Sequence, residues 1–245
     1  MLAGPDSTLE TMITAVATTL HALDAAAEVD VDLTKEDRKF LAAQRKKLGA
    51  RLPALLAAKR AIEDYDLSDG LRLQARVELG DVVLDRGVST GRNRAKLGLG
   101  ARDASSVVHV FGPTVATLTK EKVALEPTKV LEAVSRLDDV STFSERAGIA
   151  KDLTSRAKTQ QGCLDDRDAG DVKRGKLVSK AVVLVSDVAH DLAAVHAALS
   201  GQFTRQKEYV NAFFYDTRSP SPKPTKSVPT NTTAVAASDG AAKTA

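Results

Sequence analysis

A chain of 245 residues with 43% hydrophobic and 4% aromatic content, no tryptophan and one cysteine can bury one substantial aliphatic core or two small ones. It excludes an intramolecular disulfide and a thiolate metal cluster. The formal charge of +3 arises at the end of the chain, where Arg218, Lys223, Lys226 and Lys243 face only Asp239, so residues 1–216 are formally neutral.

The start of the chain lacks a basic stretch followed by an apolar one, and no run approaches the roughly 20 apolar residues that span a bilayer. A soluble, cytoplasmic protein without transmembrane insertion is expected. The first predicted helix runs from about Ser7 to Glu28, capped by Asp6 or Ser7, with Leu9, Ile13, Val16, Leu20 and Leu23 spaced by three and four. An acidic connector then leads to Thr34, whose hydroxyl three residues before Asp37 matches a capping box with Asp in place of Glu. The second helix repeats Leu41, Leu48, Leu55 and Ile62 at heptad spacing, which keeps one seam facing a neighbour in a coiled coil. Pro53 removes a backbone donor and clashes with the preceding turn, so a kink or break is expected near Ala50 and Arg51.

Asp69 and Gly70 read as a turn, and a third helix starts near Leu71 to end at Gly87 or Leu97. At 100° per residue, Leu73, Val77, Gly80, Leu84, Gly87, Gly91 and Gly98 fall near one line on its surface. Gly80, Gly87, Gly91 and Gly98 are therefore candidates for close helix packing, since an edge reduced to backbone admits a neighbouring helix. Each internal glycine costs roughly 1 kcal/mol against alanine.

Residues 104–111 lack clean periodicity and are read as helix. Pro127 at a first helical position introduces a helix over 128–139. Thr142 and Glu145 repeat the capping pattern before a helix that ends near Gln161. The acid-rich stretch Asp165 to Asp171 reads as a connector in which Asp171 caps the last helix, Val172 to about Tyr215. From Thr217 onward Pro, Ser, Thr, Lys and Ala dominate, and such a segment cannot bury enough surface to offset its ordering entropy. The expected fold is all-α: an antiparallel bundle of about five to six helices, several long, over residues 1–216, with a disordered C-terminal tail over 217–245.

Motifs for chemistry are weak. The stretch Gly87 to Arg94 has the wrong spacing for a phosphate-binding loop and lacks its Lys-Ser/Thr pair. A calcium loop starting at Asp166 would place Leu177 where a bidentate Glu belongs. His21, His109, His190 and His196 form no Glu-x-x-His pair. No catalytic residue, cofactor or metal is predicted. The expected function is that of a non-catalytic interaction or structural protein whose partner is a protein, either another copy of this chain or a different one.

A polyanion such as nucleic acid is the alternative partner. Between Asp37 and Glu63 the second helix carries only basic charges, with Arg38, Lys39, Arg45, Lys46, Lys47 and Arg51 as candidate contacts. Arg92, Arg94 and Lys96 lie in a second acid-free window. Against this, residues 1–33 carry six acids and no Lys or Arg, so the first helix can neutralise the second within the molecule. Phe203, Tyr209, Phe213, Phe214 and Tyr215 concentrate aromatic surface at the chain's end, either closing the bundle or forming a docking patch.

Overall fold

A computed structural model describes residues 2–100, 104–120, 122–140 and 142–214, and among these there is no strand. Six helices have eleven residues or more: α1 (Leu9–Val29), α2 (Lys35–Gly49), α3 (Arg51–Tyr65), α4 (Leu71–Leu99), α7 (Glu126–Arg136) and α8 (Arg146–Gln202). Three are short: α5 (Ala104–Phe111), α6 (Ala116–Thr119) and α9 (Lys207–Ala212). The architecture is an all-α antiparallel bundle. Residues 217–245, expected to form a disordered tail, lie outside the described residues.

Helix α8 is the axis, 57 residues long, or about 85 Å at 1.5 Å per residue. Antiparallel to it run α2, α3 and α4, joined end to end. Contacts march along the two rods without a change of register. Gln202 donates to Asp37, Arg51 pairs with Asp191 and Arg174 with Asp66. Farther along, Gly170 lies against Leu73 and Gly80 against Gln160, and Arg94 binds Glu145.

Two junctions keep the second rod continuous. The break expected from Pro53 falls at Ala50, which stays in the right-handed helical region and caps α2. Asp66–Gly70 forms a π-helical turn, which corrects the turn expected at Asp69 and Gly70. The wider turn accommodates both residues inside the helix, and Leu71 N–H still bonds back to Asp66.

The acidic stretch 165–171 is likewise helix interior and not a connector, so the two helices expected there are one. Its acids point outward, with Asp166 paired to Arg76 and Asp165 bound by Gln161. Gly170 is buried where a Cβ would lie 2.5 Å from Leu73 Cδ1 and 2.6 Å from the Tyr65 hydroxyl. This glycine serves packing, not a turn. At the start of α8, Glu145 makes no side-chain cap and binds Arg94 instead, which replaces the expected capping box. The first helix is capped by Thr8, whose side chain accepts from Thr11 N–H, and not by Asp6 or Ser7. Thr34 and Asp37 do form their reciprocal box. The last helix ends at Gln202, after which residues 203–206 turn into α9.

Apolar burial is concentrated at the two ends of the axis. At one end α1, α2, α3, α9 and the C-terminal half of α8 enclose a proximal core of Met12, Val16, Leu41, Leu48, Leu55, Val188, Leu192 and Leu199. At the other, α4 to α7 and the N-terminal half of α8 enclose a distal core of Leu84, Val88, Phe111, Val130, Leu137, Ile149 and Leu153. Between them is a waist with a small cluster of Val77, Cys163 and Leu164. Charge supplements it: Arg174 holds Asp66 through two bonds of 2.7 and 2.9 Å, and Lys173 binds Asp69 at 2.8 Å. Both carboxyls are held below their usual range, chiefly by those hydrogen bonds.

The four seam glycines face α8 or the chain leading into it. A Cβ on Gly80 would lie 2.0 Å from Gln160 Oε1, one on Gly87 2.4 Å from Arg156 Cδ, and one on Gly98 2.5 Å from Phe143 Cδ2. On Gly91 it would meet Ile149 at 3.3 Å and Leu153 at 3.4 Å inside the distal core. Gly91→Leu is expected to destabilise the protein by about 2–3 kcal/mol through overpacking. Gly162→Ala, where nothing lies within 4 Å, is expected to stabilise it by roughly 1 kcal/mol through helix propensity. Chemical denaturation of both variants checks the contrast; equal effects would contradict the close approach at Gly91.

Candidate interaction surfaces

Arg38, Arg45, Arg51, Arg92 and Arg94 of the basic windows bind groups within the molecule. Arg45 is paired with Asp24, and Arg51 with Asp191 at 2.7 Å. Arg38 donates to the carbonyls of Ala27 and Asp30, where α1 ends and its carbonyls lack helical partners. Lys59, although outside the candidate set, binds Glu10 at 2.8 Å. Hydrogen bonding to these acids raises Arg45 and Lys59 above their ordinary pKa, and Lys59 lowers Glu10. Acids of α1 therefore pair with two basic residues of this stretch, Arg45 and Lys59.

In the second window Arg92 donates to the Pro113 carbonyl at 2.6 Å, and Arg94 binds Glu145. Lys39, Lys46, Lys47 and Lys96 make no ion pair among the described residues. Lys39, Lys46 and Lys47 are exposed on α2. The rod separates Arg38 from Lys96 by 58 residues, about 87 Å. The two windows therefore belong to opposite ends and do not form one patch.

The aromatic residues pack into the proximal core. Phe203 and Phe213 are buried, while Tyr209 and Phe214 are half-buried against the same cluster. Tyr209 meets Phe203 and Phe213 edge-on, with ring centroids 5.2 and 5.1 Å apart. Burial, followed by the neighbouring Asp30 carboxylate, pushes its phenol up to about 12. His196 lies 5.0 Å from Phe214 and lines a cavity of about 260 Å³ with Ser200, Phe203 and Val210. Four of the five aromatics therefore close the bundle end; Tyr215 lies outside the described residues.

One cluster escaped the sequence reading. Glu126, at the start of α7, is 1% exposed and faces Asp81 and Asp85, one turn apart on α4. A buried oxygen on each of the three carboxyls lacks a hydrogen-bond partner. Arg156 reaches this stretch of α4 from α8, but its guanidinium donates to Asp152 and to the Val83 carbonyl. Burial, then hydrogen bonding and repulsion from the two aspartates, pushes Glu126 up to about 9. A protonated Glu126 can donate one hydrogen bond to an aspartate of α4. The usable signal was the i, i+4 spacing of Asp81 and Asp85. Nothing local pointed to Glu126. Among the described residues no group of three or more His, Cys, Asp or Glu side chains is arranged to hold a metal ion.

The chain matches no family model, no curated protein and no solved structure.

Glu126 carries a pH dependence whose sign follows from linkage. Its folded pKa lies above the ordinary carboxyl value of 4.5, so its contribution is fully present below that value. The contribution fades as pH rises toward about 9. Glu126→Gln keeps a neutral donor at all these pH values. The variant is expected to melt above the wild type at pH 8 and to lose less stability between pH 5 and pH 9. Parallel melting curves for the two proteins across that range would contradict the assignment.

Proposed function

We propose that this chain is a non-catalytic spacer and interaction protein: a helical rod that holds two bundled ends apart and works through contacts with protein partners. The observation that carries the reading is the unbroken pairing of α2–α4 with α8, which places one apolar core at each end of the rod. The seam glycines support it, because side chains there would force the helices apart. So does the pairing of Arg45, Arg51 and Lys59 with internal acids, which leaves less basic charge for a polyanion. A cytoplasmic location belongs to the same proposal.

A second reading, polyanion binding, draws on Lys39, Lys46 and Lys47, which stand exposed and without acidic partners among the described residues. A labelled random-sequence DNA duplex titrated with the full chain across a salt series separates the two. The spacer reading expects no binding at low salt. Binding that weakens steeply with salt and disappears in the Lys39→Glu, Lys46→Glu, Lys47→Glu variant would overturn it. Three phosphate contacts would give a log–log salt slope near about −3.

A further inference from the structure

Helix α8 carries more apolar surface than the molecule covers. An 18-residue stretch within it has a mean hydropathy of 1.5, long and apolar enough to cross a membrane, yet only 33% of that stretch is buried. Composition places the stretch at residues 182–199, where Asp187 and Asp191 are the only charges apart from the histidines. Val185, Val188 and Leu192 point into the proximal core, and Ala181 is buried on the same side of the helix. On the opposite side, Val172, Lys176, Ser179, Val183, His190, Ala194 and Ala197 fall within about 30° of one line at 100° per residue. All seven are exposed, with Val172 at 60% and Val183 at 61%. Beside this strip Val182 is 58% exposed.

Charge along the strip identifies what fits it. Lys180 and Asp187 are exposed, lack an ion pair among the described residues, and flank Val183 at three and four residues. A helix laid antiparallel on this face, with a two-fold axis passing close to Val183, brings Lys180 of each copy opposite Asp187 of the other. The same arrangement brings Val183 of one copy near Val183 of the other and Val172 near Ala194. A self-complementary patch of this kind is what an isologous interface requires. Resting on the interaction reading above, we infer that the outer face of α8 binds a second copy of this chain, antiparallel and centred on Val183. The occupant is this chain because opposite charges are placed symmetrically about an apolar centre on a single helix.

Sedimentation equilibrium of the full chain tests this. The expected mass at high protein concentration is twice the 25.9 kDa of one chain. Val183→Asp, at an exposed position that the fold tolerates, is expected to weaken the dimer at least tenfold while leaving the circular dichroism and melting temperature unchanged. Lys180→Glu and Asp187→Lys are each expected to weaken it, and the double variant, which restores opposite charges across the two-fold axis, is expected to recover it. A chain that stays monomeric would overturn the inference, as would a dimer indifferent to these changes or one that the double variant fails to restore. Cosedimentation of the monomer with uncharged phosphatidylcholine vesicles, abolished by Val183→Asp, would assign the face to a lipid surface instead. None of these outcomes depends on the duplex titration, which tests the spacer reading separately.

Discussion

A helix of 57 residues exposes a stripe far longer than a compact core of this chain's size can cover, so it needs a partner of matching length. The chain supplies one by laying α2, α3 and α4 end to end along α8. Helical periodicity then sets the packing: an unbroken antiparallel register requires the contact edge of the second rod to survive both Pro53 and the Asp66–Gly70 turn. It does so because Ala50 remains helical at the first junction and a π turn carries the chain through the second. The other helices attach where the rods leave apolar surface, α1 and α9 at one end and α5 to α7 at the other.

This division makes the waist chemically different from the ends. With few apolar groups to bury, it relies on Gln160, which is fully buried and donates to the Val77 carbonyl, and on an exposed network of Asp66, Asp69, Lys173 and Arg174. Lys173 also sits 5.4 Å from the centre of the Tyr65 ring. Single exposed pairs of this kind contribute little to stability, so their main effect is to fix the register. With fewer buried apolar groups, the waist opens locally at lower cost than the two cores.

Much of this fold was legible because its signals are local and periodic. Leu41, Leu48 and Leu55 repeat by sevens and are buried at 1%, 0% and 0% exposure. The glycine line was legible for the same reason, and Thr34 with Asp37 formed the box their spacing implies. The errors came where local turn propensity met a long partner. Asp69, Gly70 and the Asp165 to Asp171 stretch carry turn-prone residues, yet packing of one rod against the other keeps both segments helical, and Gly170 is small because Leu73 and Tyr65 need its space. Propensity is a weak prior beside such a contact.

The candidate surfaces were less legible, since charge counts give no orientation. Acids in the first helix were visible in the sequence, but only folding shows Asp24 meeting Arg45 and Glu10 meeting Lys59. Arg51 finds Asp191 across 140 residues of sequence. Glu126 was hidden for the same reason: its aspartate neighbours lie on a helix some 40 positions earlier, and Pro127 beside it marks a helix start without marking a buried carboxyl.

The continuity of the rod through Asp66–Gly70 is best tested by a distance between spin labels in the Arg60→Cys, Leu79→Cys, Cys163→Ser variant, measured by double electron–electron resonance. Both labelled positions are exposed, and 19 residues of uninterrupted helix separate them by about 28 Å. A single narrow distribution near about 30 Å is the result expected of a continuous rod. A hairpin at Asp69 and Gly70 would bring the labels within about 15 Å of each other, the spacing of adjacent packed helices plus the label arms, and that result would contradict the antiparallel spine.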